Sequence, residues 1–385
     1  MKKIKDLGLI VLIGLLPTLL IWLPFFVRLK SFWGIPLPQN GMATIVSNYD
    51  GPLFLVVAKT FYDKIAIGQS FQFPLPTEYY AAHFPLFPLL IKLFSFVGGY
   101  PYSMLFVTLA SSILALYFFN KLISQYLSKR NAYLLTFFFA VFPARWLVVR
   151  SVGSAEPLFI ASTIASIYYF RNSKYLQAGI WGMIAQLTKS TGIVLFAAYL
   201  AYLIFPQLKN IATSHFSKWS EILNLKKTFP IYFIPFSLIA VFALYGVRMG
   251  DFLAYFHAGD NIHLFFPPFS IFNFSSPWVG TFWLEEIIFI YLFGILGLLR
   301  LIKLKTGILA WYVGIFFVST LFVSHRDLMR YSLPIVPFLY VAFSEVLVSR
   351  EVKIAAAVIA VPIYLFSLAY ISQNVMPISN WGPFL

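Results

Sequence analysis

Apolar residues run along this chain in long, nearly unbroken stretches, with the polar residues collected between them. A helix needs about 20 apolar residues to cross the hydrocarbon core of a bilayer. Stretches of that kind occupy 7–29, 101–124, 131–150, 154–171, 229–249, 284–302, 307–324, 331–349 and 353–373. The stretch 175–206, bounded by two basic connections, reads as two short, tilted passes broken near Lys189. The pattern predicts an all-α polytopic membrane protein of about eleven crossings, a single transmembrane domain over 1–385.

Two connecting segments are long, 30–100 and 250–283, and long loops in a compact protein are usually functional. In the first, Pro52 suits the first turn of a helix. Leu53, Val56, Val57 and Phe61 then recur at helical spacing, with Lys59, Asp63 and Lys64 elsewhere. That predicts an amphipathic helix lying on the membrane surface. The apolar piece from Pro85 to Val97 is too short to span and is expected to be interfacial or re-entrant.

Composition narrows the class. The chain is 60% hydrophobic and 11% charged, where an ordinary soluble domain is about 25% charged. It has no cysteine, which excludes disulfides, thiolate catalysis and cysteine-based metal sites. A net charge of +15 could suggest a nucleic-acid partner. The basic residues, however, are spread between apolar segments and form no single patch, so nucleic acid is set aside.

The same residues orient the chain, because short connections rich in Lys and Arg stay in the cytoplasm. The basic connections are 1–6, 121–131, 171–174, 207–228, 300–305 and 349–353. Asp50, Asp63, Glu78, Glu156, Asp251, Asp260, Glu285, Glu286 and Asp327 fall on or near the other side. The N-terminus is expected in the cytoplasm, leading into an uncleaved first span. Segment 207–228 is expected to be a basic cytoplasmic connector on the anionic leaflet. With no sorting signal in view, the expected location is the plasma membrane of a prokaryote, with the working face extracytoplasmic.

The candidate chemistry lies on that outer face. Asp50, in SNYDGPLF, sits just ahead of the predicted surface helix. It could be a general base near the headgroups, or a cap that only satisfies backbone N–H groups. Glu156 stands at the outer end of its span, where an acid is costly. It reads as a catalytic group or as a salt-bridge partner of Arg145 or Arg150. Lys189 interrupts an apolar stretch and requires an anion: Glu156, Asp50 or a bound phosphate. Arg330, followed by Tyr331, is the first candidate to bind a phosphate, against a plain interfacial arginine reaching for headgroups. His83 could hydrogen-bond the same phosphate. His257, Asp260 and His263 have spacing that invites a metal reading, but Gly259 weakens the helix and no partner acid is evident. Contact of His257 with substrate is the preferred reading, and no metal site is expected.

Five segments carry a resemblance. They are SNYDGPLFLVVAKTFYD at 47–63, AHFPLFPLLIKLFS at 82–95, FPARWLVVRSVGSAEPLF at 142–159, QLTKSTGIVL at 186–195 and MRYSLPIVPF at 329–338. In this order they are similar to the motifs of the PIG-V-like GPI mannosyltransferases and their prokaryotic relatives, which are GT-C glycosyltransferases. Tyr49 stands where that family has Trp, and Lys189 where it has Arg; Ala155 and Pro157 also depart from its pattern.

The resemblance implies the GT-C fold and an inverting transfer of mannose from a polyprenyl-phosphate donor to a glycan, glycolipid or protein acceptor. Asp50 would be the base, and Tyr49 and Tyr331 substrate contacts. It implies no cofactor and at most a weak dependence on a divalent metal, in keeping with the lack of any Asp-x-Asp pair. A related GT-C enzyme moving an aminoarabinose- or glucose-type sugar would also carry an acid in the first outer loop. The alternative from another class is a lipid or solute transporter or flippase, which predicts inverted repeats and charges along a central path.

Overall fold

A computed structural model describes residues 2–71, 73–211, 225–258, 264–273 and 284–385. The chain is helical almost throughout, apart from a two-residue antiparallel ribbon that pairs Ser31 with Pro36 and Phe32 with Ile35. Among the described residues, four helices are long and apolar enough to cross a membrane: Lys5–Phe26, Gly99–Ile123, Phe229–Met249 and Arg350–Gln373.

Several of the other expected crossings are broken into pieces, and proline is the main reason. The stretch 131–150 is split into Lys129–Val141 and Ala144–Val149. Pro143 has no N–H to donate and holds Phe142 in an extended conformation. The stretch 331–349 is a succession of short turns, with Pro334 and Pro337 opening the segments Leu333–Ile335 and Val336–Ala342. The break near Lys189 is present: Tyr175–Thr188 ends there, Lys189 is extended, and Ile193–Ile211 begins after one 3-10 turn.

Helix Glu156–Arg171 is the centre of the bundle, buried on nearly every side and packed between Gly99–Ile123 and Tyr175–Thr188. Lipid chains are as apolar as leucine, so such helices associate through close packing of small residues. Gly179 and Gly182 show this: a Cβ on either would collide with Pro230 or Ile234, at the start of the neighbouring helix Phe233–Met249. Several hydroxyls inside the bundle are satisfied along their own helices. Thr108 donates to Met104 at 2.9 Å, Ser112 to Thr108 at 2.8 Å and Ser162 to Leu158 at 2.7 Å.

Arg150 is fully buried with no acidic partner among the described residues. Its guanidinium donates at 2.5 Å to the carbonyl of Ala140 and at 2.5 Å to that of Gly14. The first of these carbonyls is orphaned by the helix end at Val141.

In the segment 30–100, helix Gly51–Thr60 is covered by protein: Gly51 to Ala58 and Thr60 are all buried. Its only charged side chain is Lys59, so the helix is apolar on every face and needs a protein environment. It gets one from helix Leu86–Phe94 and helix Gly99–Ile123, with Phe54 edge-on to Phe87 at 4.8 Å. Helix Leu86–Phe94 is two-sided: Phe87, Pro88 and Ile91 face the protein, while Leu89 and Leu93 are exposed. A second hydrophobic cluster, including Phe25, Val56, Tyr62, Phe87 and Tyr245, joins this loop to the ends of the long helices. Of the expected connector 207–228, residues 212–224 lie outside the described residues, as do 259–263 and 274–283 of the second outer loop.

Candidate active site

Asp50 is the residue just before helix Gly51–Thr60, but its side chain makes no capping bond to that helix. The carboxylate is turned instead to Arg330, whose Nη2 donates to Oδ2 at 3.0 Å. Two backbone features set the turn. Tyr49 is in the left-handed conformation, with φ of 49°, which a non-glycine residue keeps only when its surroundings hold it there. Gly51 passes so close to the Val46 carbonyl that no side chain would fit.

Glu156 opens the central helix and is 3% exposed. Its Oε1 accepts from Lys189 Nζ at 2.7 Å and from Arg330 Nε at 2.7 Å, and its Oε2 accepts from the Ser154 hydroxyl. The alternative pairing with Arg145 or Arg150 is not made. Arg150 binds carbonyls, and Arg145 Nε lies 3.1 Å from Asp327. Lys189 reaches Glu156 because the helix breaks beneath it. An extended residue points its side chain out of the helical stack, so the ammonium enters the site and remains 30% exposed.

Four residues chosen from distant parts of the chain, Asp50, Glu156, Lys189 and Arg330, thus form one network. Its depth is graded. Glu156 is sealed, the side chain of Arg330 is 14% exposed, and Asp50 keeps 34% of its side chain open. Burial works to raise the Asp50 carboxyl, but the Arg330 guanidinium and then His83 outweigh it and hold it below the usual carboxylate range. His83 is buried with its ring edge-on to Phe54, and its backbone carbonyl accepts from Tyr62 at 2.6 Å. Burial, with Arg330 and Lys189 nearby, pulls its imidazole down against the opposing charge of Asp50, favouring the neutral ring.

Around this network lies a layer that sequence reasoning missed. The Arg330 guanidinium lies 4.4 Å from the centre of the Tyr49 ring. The Tyr49 hydroxyl accepts from Arg145 at 3.1 Å, and Arg145 lies 3.8 Å from the centre of the Tyr370 ring. Tyr49 therefore supports two arginines. The sequence reading offers Arg145 only as a partner for Glu156, and Asp327 only as one acid among those opposite the basic connections. The usable signal was charge balance, since a guanidinium beside an apolar run calls for an anion of its own.

Of the other candidates, Tyr331 stays beside the network and His257 does not join it. Tyr331 follows Arg330, and its ring is edge-on to His325 at 5.2 Å. His257 is 58% exposed and bound to Asp251 at 2.6 Å. Asp260 and His263 lie outside the described residues; among the described ones, no group of three or more His, Asp or Glu side chains could hold a metal ion.

No protein-family model matches the chain, and no curated protein does. Solved structures do. ArnT from Cupriavidus metallidurans, bound to undecaprenyl phosphate, superposes with a TM-score of 0.57 at 13% identity, covering 94% of this chain and 77% of that one. The archaeal oligosaccharyltransferase AglB from Archaeoglobus fulgidus, in complex with an inhibitory peptide and a dolichol-phosphate, gives 0.51 at 12% identity, covering 99% and 57%. The A. fulgidus oligosaccharyltransferase tethered to an acceptor peptide gives 0.53 at 14% identity, covering 99% and 56%. This chain spans little more than half the length of the archaeal proteins. What it shares with all three is the fold, that of the GT-C glycosyltransferases.

Proposed function

We propose that this protein is a membrane glycosyltransferase that takes a sugar from a polyprenyl-phosphate donor and passes it, with inversion, to a hydroxyl on an extracytoplasmic acceptor. The observation that carries the reading is the network itself: an open carboxylate, Asp50, and an open ammonium, Lys189, joined through Arg330 and the sealed Glu156. In the reaction, the acceptor O–H gives its proton to Asp50 while its oxygen bonds to the anomeric carbon. The bond from that carbon to the phosphate oxygen breaks, and the electron pair leaves with the lipid phosphate. Arg330 and Lys189 meet the charge that gathers there.

A carboxyl held below its usual range is ionised but a weak base. Donor binding corrects this. A phosphate drawing on Arg330 competes with Asp50 for the guanidinium, so the arriving donor raises the basicity of the group that must act next. Glu156 is a positioning residue on this reading, since it is sealed and already accepts from three donors. On the same reading His83, buried beside the charged cluster, is a further donor to the phosphate.

The fold neighbours support the donor class, since one was solved with undecaprenyl phosphate and another with a dolichol-phosphate. The motif order shared with PIG-V-like enzymes supports mannose as the sugar, with a glycan, glycolipid or protein as acceptor. The basic connections support an extracytoplasmic site in a prokaryotic plasma membrane. The test is transfer or hydrolysis of radiolabelled polyprenyl-phosphate mannose by purified wild type and Asp50→Asn. Turnover in the wild type alone, with donor bound by both, is the expected result. Equal turnover, or no donor binding by either, would sink the reading and turn attention to lipid transport.

A further inference from the structure

A recess of about 330 Å³ opens between helix Met42–Val46 of the first outer loop and the tail that follows helix Arg350–Gln373. Small-ligand pockets run from about 300 to 1,000 Å³, so this one suits a single ring-sized group. Asn40, Ala43 and Ser47, before, within and just after that short helix, line one wall. Met376, Ser379 and Trp381 line the other.

We propose that this recess binds an uncharged sugar unit of the acceptor, an inference that rests on the glycosyltransferase reading. Three observations support it. No lining residue is acidic or basic, so a phosphate or an ammonium would find no counter-charge. The lining is instead uncharged and polar beside an aromatic: the Asn40 amide, the Ser47 and Ser379 hydroxyls and the Trp381 indole. An aromatic ring accompanied by amide and hydroxyl groups complements a pyranose, which has C–H bonds on its faces and hydroxyls around its rim.

The third observation is position. The tail is stitched to the strand that leads into the active site. Met376 N donates to the Ser47 carbonyl at 2.7 Å, Asn48 Nδ2 to the Ile371 carbonyl at 2.7 Å, and Asn374 Nδ2 to Asn48 Oδ1 at 3.3 Å. Ser47 lies three residues before Asp50, and three residues reach at most about 11 Å even when fully extended. The recess is therefore walled by the same short segment that carries Asp50, so one acceptor glycan that fills it would present a further unit toward that carboxylate.

The test is saturation-transfer NMR on the detergent-solubilised full chain, with methyl α-mannopyranoside, methyl α-glucopyranoside and methyl N-acetyl-β-glucosaminide as probes. At least one should give signal with wild type and with Asp50→Asn. The signal should fall about fivefold or more in Trp381→Ala, consistent with losing one aromatic contact. It should fall likewise in Ala43→Trp, which fills the recess from the opposite wall, and persist in Trp381→Phe. Unchanged melting of each variant shows that it is folded. No saccharide signal in the wild type, or equal signal in Trp381→Ala and Ala43→Trp, overturns the proposal. Sugar transfer, assayed separately, distinguishes the two readings. Saccharide binding that depends on Trp381 in a protein that moves no sugar keeps the recess and removes the transferase; transfer without such binding does the reverse.

Discussion

Asp50 and Glu156 are bound to the same guanidinium: Arg330 donates from Nη2 to the first and from Nε to the second. Two acids that would repel each other are held together by one cation, and the open one is the one near solvent. A ligand that competes for Arg330 acts on both.

Asp50→Asn should lower turnover by about 10²- to 10⁴-fold, the usual worth of a general base. Donor affinity should stay the same or tighten, because Arg330 then has one charged competitor fewer. Separate measurement of donor Kd and single-turnover rate checks both halves. A loss of affinity equal to the loss of rate would make Asp50 a binding residue only.

Glu156→Ala should destabilise the protein by about 3–5 kcal/mol, because it leaves two cations without their shared buried partner. The double variant Glu156→Ala with Lys189→Ala should recover part of that loss. Thermal unfolding in detergent reads the comparison.

The pH dependence follows from the depressed Asp50 carboxyl. A group whose folded value lies below its unfolded one contributes stability above the unfolded value, near pH 4, and loses it as the pH falls through the folded value. Stability from this pair should thus be complete at neutral pH and erode only in stronger acid. In Arg330→Gln the holding charge is gone. The acid-side loss of whatever activity remains should shift to higher pH, as a pH–rate profile would show.

Tyr49→Phe keeps the ring under Arg330 and removes only the bond to Arg145, whereas Tyr49→Ala removes both. The alanine variant should lose about 0.5–2 kcal/mol of arginine–ring attraction, visible as weaker donor binding, with the phenylalanine variant close to wild type. Equal defects in the two would assign the effect to the hydroxyl instead.

Transfer should survive EDTA, because Arg330 and Lys189 supply two fixed positive charges where a leaving phosphate needs them. Abolition by EDTA with restoration by a divalent ion would require a metal in the reaction.

The residues of the site were more legible than its architecture. Lys189 stood out as an ammonium in an apolar stretch, and such a charge must find an anion; the anion is Glu156. The apolar spacing of helix Gly51–Thr60 reads as that of an amphipathic helix with one exposed face. Only the elements stacked over it show that all its faces are buried. The Arg145–Asp327 pair was invisible for a different reason: nothing local in the sequence brings residue 145 to residue 327. Charge balance can say that a partner exists, but only the fold says which.

The clasp between Asn48 and the end of the last long helix also bears on the order in which the protein is made. Asn48 is secured by the Ile371 carbonyl, 323 positions later in the chain, and Arg330 also arrives long after Asp50. A nascent chain that has not yet reached residue 330 holds Asp50 without its clasp or its cation. The network around Asp50 is therefore complete only once the segments carrying Arg330 and Ile371 have packed against the first loop.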